Sequence, residues 1–204
     1  MAAGDTDVSI CSEALLLLGQ TSITSFDDGT AGAGAASTIY PKVKSSTLGM
    51  YPWTFTLSKV QLAQLSDAPT NVWKYAYSLP AQMVTGVPRR VYASANVGID
   101  VIKEYEIQGN QLLTNNATIY VDFQKTVAEQ SMPEYFVKLL TYQMAWHLAI
   151  PITDQPSNAE FWRNIALGPV IESGRGGYFR TAASIDSAGQ STTIIGDYLL
   201  TEVR

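Results

Sequence analysis

Cysteine and histidine are almost absent: the 204 residues contain one of each, Cys11 and His147. A single cysteine cannot form an internal disulfide, so the fold does not require an oxidising compartment. One cysteine and one histidine cannot supply an ordinary zinc cluster. A Ser-His-Asp or Cys-His site would have to use His147, and no nucleophile-elbow pattern accompanies it. We therefore expect no metal, no cofactor and no enzymatic activity, with His147 as a core or helix-surface side chain.

Charged residues are also few. They make up 15% of the chain against 46% apolar residues, and the net charge is -5. Low charge is typical of proteins with large subunit contacts, because the cores of interfaces are depleted in Lys, Glu and Asp. An acidic chain is poorly suited to hold nucleic acid through its phosphates. Its surface could still form a wall that DNA passes without adhering.

Long hydrophobic runs are missing. The longest clean aliphatic run extends from Leu15 to Leu18, far short of the ~20 residues that cross a bilayer. Asp5 and Asp7 stand where a secretory signal would carry basic residues. We expect no membrane association and expect the chain to be made and folded in a cytoplasm.

Helical periodicity is present near both ends of the sequence. It predicts a helix over 5–19 and a kinked or two-part helix over 30–50, since Pro41 interrupts the second pattern. A further helix is predicted from Ser131, which can form a capping box with Glu134. These segments predict a helical body formed by residues 5–50 and 131–173.

Between about 54 and 128 the hydrophobic period changes to two. Alternating segments and the turn pair Gly109-Asn110 predict a small antiparallel sheet or barrel inserted into the body. The fold class is therefore α+β. Residues 174–204 are rich in Gly, Ser and Ala before a final apolar stretch, which predicts an extended C-terminal arm outside a domain of residues 1–173.

Three short motifs resemble chemical sites but have simpler interpretations. Asp27-Asp28 could be a carboxylate pair, yet it fits better as a cap for the helix that begins near Thr30. The segment 174–177 (Gly-Arg-Gly-Gly) follows no apolar strand, so it is not a credible phosphate loop. Arg89-Arg90 is interpreted as a solvated strand end.

Two aromatic runs stand near the junctions of the β-rich insertion. The first is Tyr51-Pro52-Trp53-Thr54-Phe55, and the second, Trp73 to Pro80, includes Tyr75 and Tyr77. Large amphipathic rings beside prolines anchor cores and packed interfaces. We predict that Trp53 and Trp73 are mostly buried and fix the joint between the helical body and the insertion.

Taken in order, several motifs resemble the head-to-tail adaptor proteins of tailed bacteriophages, the podovirus tail tubular protein A group. The resemblance covers about residues 8 to 165 and is carried by Ile10–Gly19, Thr24–Asp28, Tyr40-Pro41, Tyr51–Phe55, Gln61–Ala63, Trp73–Pro80, Leu112–Thr114 and Met132–Phe136. It implies a ring of about twelve copies with head-to-tail contacts. The ring would lie beneath the portal protein, at the virion neck.

The resemblance also implies partners. The β-rich insertion would meet the tail nozzle or tail tube protein, and genomic DNA would pass through the ring without specific binding. The C-terminal arm would dock on the portal through candidate anchors Tyr178, Phe179, Arg180, Ile194, Ile195, Tyr198, Leu199 and Leu200. Deleting the arm from Gly174 onward would then leave a folded domain that docks weakly.

Two other functions remain open on the sequence. The β-rich insertion could be a carbohydrate- or receptor-binding module that uses Trp53, Trp73 or Tyr92. A hydrolase using His147, or Asp27 and Asp28, is the third hypothesis.

Overall fold

The computed structural model describes residues 5–67, 69, 72–96 and 101–189. Within them the chain forms two helices, then six strands, then three helices, which confirms the α+β class. The helices are α1 (Asp7–Leu17), α2 (Ala31–Met50), α3 (Glu134–Thr153), α4 (Pro156–Leu167) and α5 (Gly177–Ser187); the strands are β1 (Leu57–Gln61), β2 (Tyr75–Ser78), β3 (Arg90–Tyr92), β4 (Tyr105–Gln108), β5 (Gln111–Thr114) and β6 (Tyr120–Gln124).

The first two helices begin at threonine caps. Thr6 and Ser9 form a reciprocal capping box at the start of α1, and Thr30 accepts a hydrogen bond from the Ala33 N–H at the start of α2. α2 continues through Pro41 as one helix. The prediction allowed a kinked helix or a two-part helix, and the two-part alternative is therefore wrong.

α3 lies at the centre of the helical body and packs against the other four helices. The predicted capping box at its start is wrong, because Ser131 ends a separate 3-10 turn and Pro133 occupies the cap position. At its other end α3 continues through Pro151 to Thr153. No helix of the described segments is long and apolar enough to cross a bilayer.

The insertion contains two three-stranded antiparallel sheets. Sheet A has the order β1-β6-β3, and sheet B has the order β2-β5-β4 with Gly109-Asn110 at its hairpin turn. In sheet A, Lys59 and Arg90 both lie opposite Asp122. The insertion has a hydrophobic cluster of its own, formed by Leu62, Tyr77, Leu79, Val91, Leu112, Ile119, Val121 and Phe123.

The segment after α4 departs from the prediction. Residues 177–187 form α5 and not an extended arm, and Phe179, Ala182 and Asp186 on this helix are buried. These three positions are spaced three and four residues apart, so they lie on one face that packs on the body. The predicted domain boundary at 173/174 therefore separates α5 from the core to which it belongs. Residues 190–204 lie outside the described part.

Candidate functional site

Trp53 lies at the centre of an aromatic cluster in the helical core. Its side chain is 0% exposed, and its indole N–H donates to the carbonyl of Thr47 at 3.0 Å. Edge-to-face contacts place its ring 4.9 Å from Tyr51, 5.1 Å from Phe136 and 6.0 Å from Phe179, measured between centroids. The cluster therefore joins the start of the insertion to both α3 and α5, and the predicted burial of Trp53 is confirmed.

Asp186 adds a polar attachment beside this cluster. Its carboxylate, on a residue only 3% exposed, accepts from the Thr54 N–H at 2.9 Å and from the Thr54 hydroxyl at 2.8 Å. The hydroxyl of Tyr135 donates to it at 2.6 Å. Burial, together with this hydrogen bond, raises the pKa of Tyr135, so the phenol remains a donor. α5 is thus bonded to the entry of the insertion and to the first turn of α3.

Gln124 supplies the matching attachment from the end of β6. Its side-chain amide donates to the carbonyl of Tyr51 at 2.8 Å, and it also reaches the Leu48 carbonyl and the Thr56 hydroxyl, each at 3.2 Å. The entry and exit strands of the insertion, β1 and β6, are paired with each other. We call Trp53, Thr54, Gln124, Tyr135 and Asp186 together the joint.

An ion pair links α2 to the turn that precedes α3. The Lys44 ammonium lies 2.7 Å from Glu129 Oε1, and the Tyr40 hydroxyl donates to the same oxygen at 3.0 Å. Burial pushes the pKa of Glu129 upward, but the hydrogen bonds from Lys44 and Tyr40 and the Lys44 charge outweigh it, so the pKa is lowered. Glu129 is therefore a charged structural residue.

The second aromatic run is partly to fully buried. Tyr77 is buried and donates its hydroxyl to the Asn116 carbonyl at 2.8 Å. Trp73, in contrast, is half-buried, and its indole N–H donates to Glu106 at 2.8 Å. Tyr75 and Pro80 are also half-buried. This partial burial agrees with the prediction that Trp73 is mostly buried, and the hydrogen bond attaches the tryptophan to β4 of sheet B.

Of the predicted portal-docking residues, three lie on α5 and five lie outside the described residues. Phe179 is buried against Trp53, so it is not a free anchor. Tyr178 is half-buried and packs edge-to-face on Tyr142, whereas Arg180 is exposed. Ile194, Ile195, Tyr198, Leu199 and Leu200 lie outside the described residues.

The glycines of the rejected phosphate-loop motif have a structural role. Gly177 adopts φ +53°, and a Cβ there would lie 2.6 Å from both the Gly168 nitrogen and the Ile165 carbonyl oxygen. Gly176 donates its N–H to the Leu167 carbonyl at 2.9 Å. Only glycine allows such close backbone contact with this φ. The turn between α4 and α5 closes on this contact.

The titratable candidates do not converge. Asp28 accepts hydrogen bonds from the N–H groups of Thr24 and Ser25 at 2.7 and 3.2 Å, and these lower its pKa. It therefore caps its own loop, and the prediction that it caps α2 is wrong because Thr30 has that role. His147 lies at the surface beside the Trp146 ring, with 4.1 Å between centroids. Among the described residues no group of His, Cys, Asp and Glu could hold a metal ion.

Large apolar side chains are exposed at several places on the surface. In the helical body the most exposed are Val170 and Ile171, at 75% and 90%, followed by Leu16, Leu17, Ile150, Phe161 and Ile185. Exposed apolar patches mark interaction surfaces when they are contiguous.

No family model and no curated protein matches the chain.

Proposed function

We propose that this protein is a structural subunit of the virion neck of a tailed bacteriophage. In this proposal about twelve copies form a ring that joins the portal protein to the tail and forms part of the DNA conduit. The protein carries out no catalysis and holds DNA by no specific contact. The ordered motifs that resemble head-to-tail adaptor proteins support the proposal.

The observation that carries the proposal is the joint. A connector must hold two binding ends in a fixed relation, and the joint bonds the helical body to the inserted sheets through Trp53, Gln124 and Asp186. Buried networks in which every polar group is satisfied make such attachments rigid. Val170 and Ile171, which are adjacent and 75% and 90% exposed, offer apolar surface to other chains.

The carbohydrate-binding alternative is less well supported. Trp53 is fully buried and Tyr92 is nearly so, with its hydroxyl bonded to Asp122 at 2.9 Å. Trp73, the third suggested aromatic, is partly buried, and its indole N–H is bonded to Glu106. A stacking platform for sugars needs aromatic faces open to solvent, so no observation favours this function.

The proposal is tested with the purified protein and portal assemblies of the same virus. Native mass measurement and electron imaging should find a ring of about twelve copies bound to one end of the portal. Antibody labelling of intact virions should place the protein at the neck. A protein that stays monomeric and never joins a portal would contradict the proposal.

A further inference from the structure

Val170 and Ile171 form a projection of apolar side chains on the helical body. They lie in a 3-10 turn, Val170–Glu172, between α4 and α5. Both are far more exposed than aliphatic side chains of a folded core, at 75% and 90%. We call these two residues the apolar knob.

The turn that carries the apolar knob is rigid. Its base closes where Gly176 donates to Leu167 and where Gly177 touches the backbone of Gly168. Its tip is held by the Ser173 N–H, which donates to the Val170 carbonyl at 3.0 Å. An apolar group held in a fixed position loses little conformational entropy on binding, which favours a docking role.

A groove of matching chemistry lies elsewhere on the same chain. It runs between α2 and α3, has a volume of about 310 Å³ and is lined by Ile39, Lys42, Val43, Ser46 and His147. Most of its lining surface is apolar, and Lys42, Ser46 and His147 add polar groups. That volume is at the lower end of the roughly 300–1,000 Å³ typical of binding pockets, enough for two aliphatic side chains. We call it the α2–α3 groove.

We propose that the apolar knob of one copy inserts into the α2–α3 groove of the next copy. The inference deepens the proposed function and rests on it, since it names the contact between neighbours in the ring. Knob and groove are different surfaces of one chain, so the contact is head-to-tail and can repeat around a ring. Glu172 directly follows the knob, but its carboxylate folds back over Gly168 and Gly176 at the base of the turn, so the two apolar side chains are the part that enters the groove. Burial of an exposed anchor in a fitted pocket is the usual centre of a protein interface.

Cysteine cross-linking tests the contact directly. Cys11 is buried and burial raises its pKa to about 12, so introduced thiols react against a silent background. The variant Ser46→Cys/Ile171→Cys should give a ladder of covalent oligomers under mild oxidation. The control Ser37→Cys/Ile171→Cys should not, because Ser37 is exposed on α2 nine residues away and therefore on the opposite side of the helix.

Interface variants test the same contact by loss and complementation. Ile171→Asp removes the knob and Ser46→Trp fills the groove, and each should weaken self-association roughly tenfold or more. Both side chains are exposed, so thermal unfolding should change little. A mixture of the two variants keeps one intact contact and should stop at heterodimers, which native mass spectrometry resolves.

The outcomes separate this inference from the proposed function. Wild-type rings on the portal with no cross-link between positions 46 and 171, or normal assembly of Ser46→Trp, overturn the knob-and-groove contact alone. A cross-linked ladder from a protein that never binds a portal overturns the neck function alone. A wild-type protein that remains monomeric at every concentration, with and without portal, overturns both.

Discussion

At the scale of single residues, the joint depends on a buried carboxylate whose hydrogen-bond donors are all neutral. Asp186 receives hydrogen bonds from a backbone N–H and two hydroxyls. Hydrogen bonds to a buried charge stabilise more than those between neutral groups, and losing one leaves a buried donor unsatisfied. Removing any polar side chain of the joint should therefore cost more unfolding free energy than the loss of its own contacts, because its former partners are left unsatisfied.

Replacing Asp186 by Asn tests this directly. The amide keeps the shape but loses the charge and turns an NH2 group toward donors, so we expect a loss of about 2–4 kcal/mol of unfolding free energy. Urea denaturation followed by circular dichroism measures it. Asp154→Asn is the control, because Asp154 is exposed at φ 53°, where Asn is equally tolerated. Equal stability of both variants would show that the negative charge of Asp186 contributes nothing to the joint.

His147 gives a prediction about pH. Partial burial lowers the pKa of its imidazole below the usual 6.5, so the folded protein binds the proton less readily than the unfolded chain. The contribution of His147 to stability is therefore complete above pH 6.5 and is lost as the pH falls below that value. It is the only histidine, so an NMR titration reads it without assignment.

The matched variant is His147→Gln, which should remove this part of the pH dependence of the unfolding free energy. A midpoint at or above 6.5 in the titration would contradict the lowered pKa and the partial burial that causes it.

The single residues of the joint are only partly predictable from the sequence. Trp53 can be identified because large aromatics beside proline are usually buried. Asp186 cannot, since its partner Thr54 lies 132 positions away and no periodic pattern encodes so distant a hydrogen bond. The carbonyl groups that accept hydrogen bonds from Gln124 cannot be predicted from the sequence either.

At the scale of elements, α5 shows that amino-acid composition alone can predict the wrong secondary structure. Its Gly- and Ser-rich surroundings predict an arm, although Phe179 and Ala182 have helical spacing and Ala is a strong helix former. That spacing is the signal in the sequence that favours a helix. The glycines before α5 are present because the chain reverses there in close backbone contact, not because it is extended.

Truncation distinguishes α5 from the residues beyond Gly189. A chain of residues 1–189 should unfold cooperatively, whereas a chain of residues 1–173 should not. The shorter chain loses Phe179 from the Trp53 cluster, and truncating one buried Phe to Ala alone costs about 3–5 kcal/mol. It also leaves Thr54 and Tyr135 without Asp186. Thermal unfolding followed by near-ultraviolet circular dichroism measures the difference, and two similar transitions would refute the place of α5 in the core.

Two glycine substitutions should act in opposite directions. Gly177→Ala forces a Cβ against backbone at positive φ and should destabilise by about 1–3 kcal/mol. Gly34→Ala should stabilise by about 0.5–1 kcal/mol, because Gly34 lies inside α2 with open space where the Cβ would be. Denaturant midpoints of the two variants give the signs. A neutral Gly177→Ala would mean that the α4–α5 turn can relax.

At the scale of the whole molecule, the architecture is easier to predict from the sequence than the contacts with other molecules. The change of hydrophobic period from helical to two, and back, correctly predicts sheets inserted into a helical body. Two separate hydrophobic clusters accompany that division. Function is not encoded in such patterns, since the same fold class serves many activities. Docking and ring formation therefore stay predictions for experiment.

The position of Asp186 near the end of α5 has a mechanical consequence. Tension applied to the chain at Gly189 would reach the inserted sheets through the carboxylate and Thr54, a route much shorter than the covalent path through α4 and α3. The same load would pass to α3 through Tyr135. A pull on this end of α5 is thereby shared between both halves of the molecule through a single side chain.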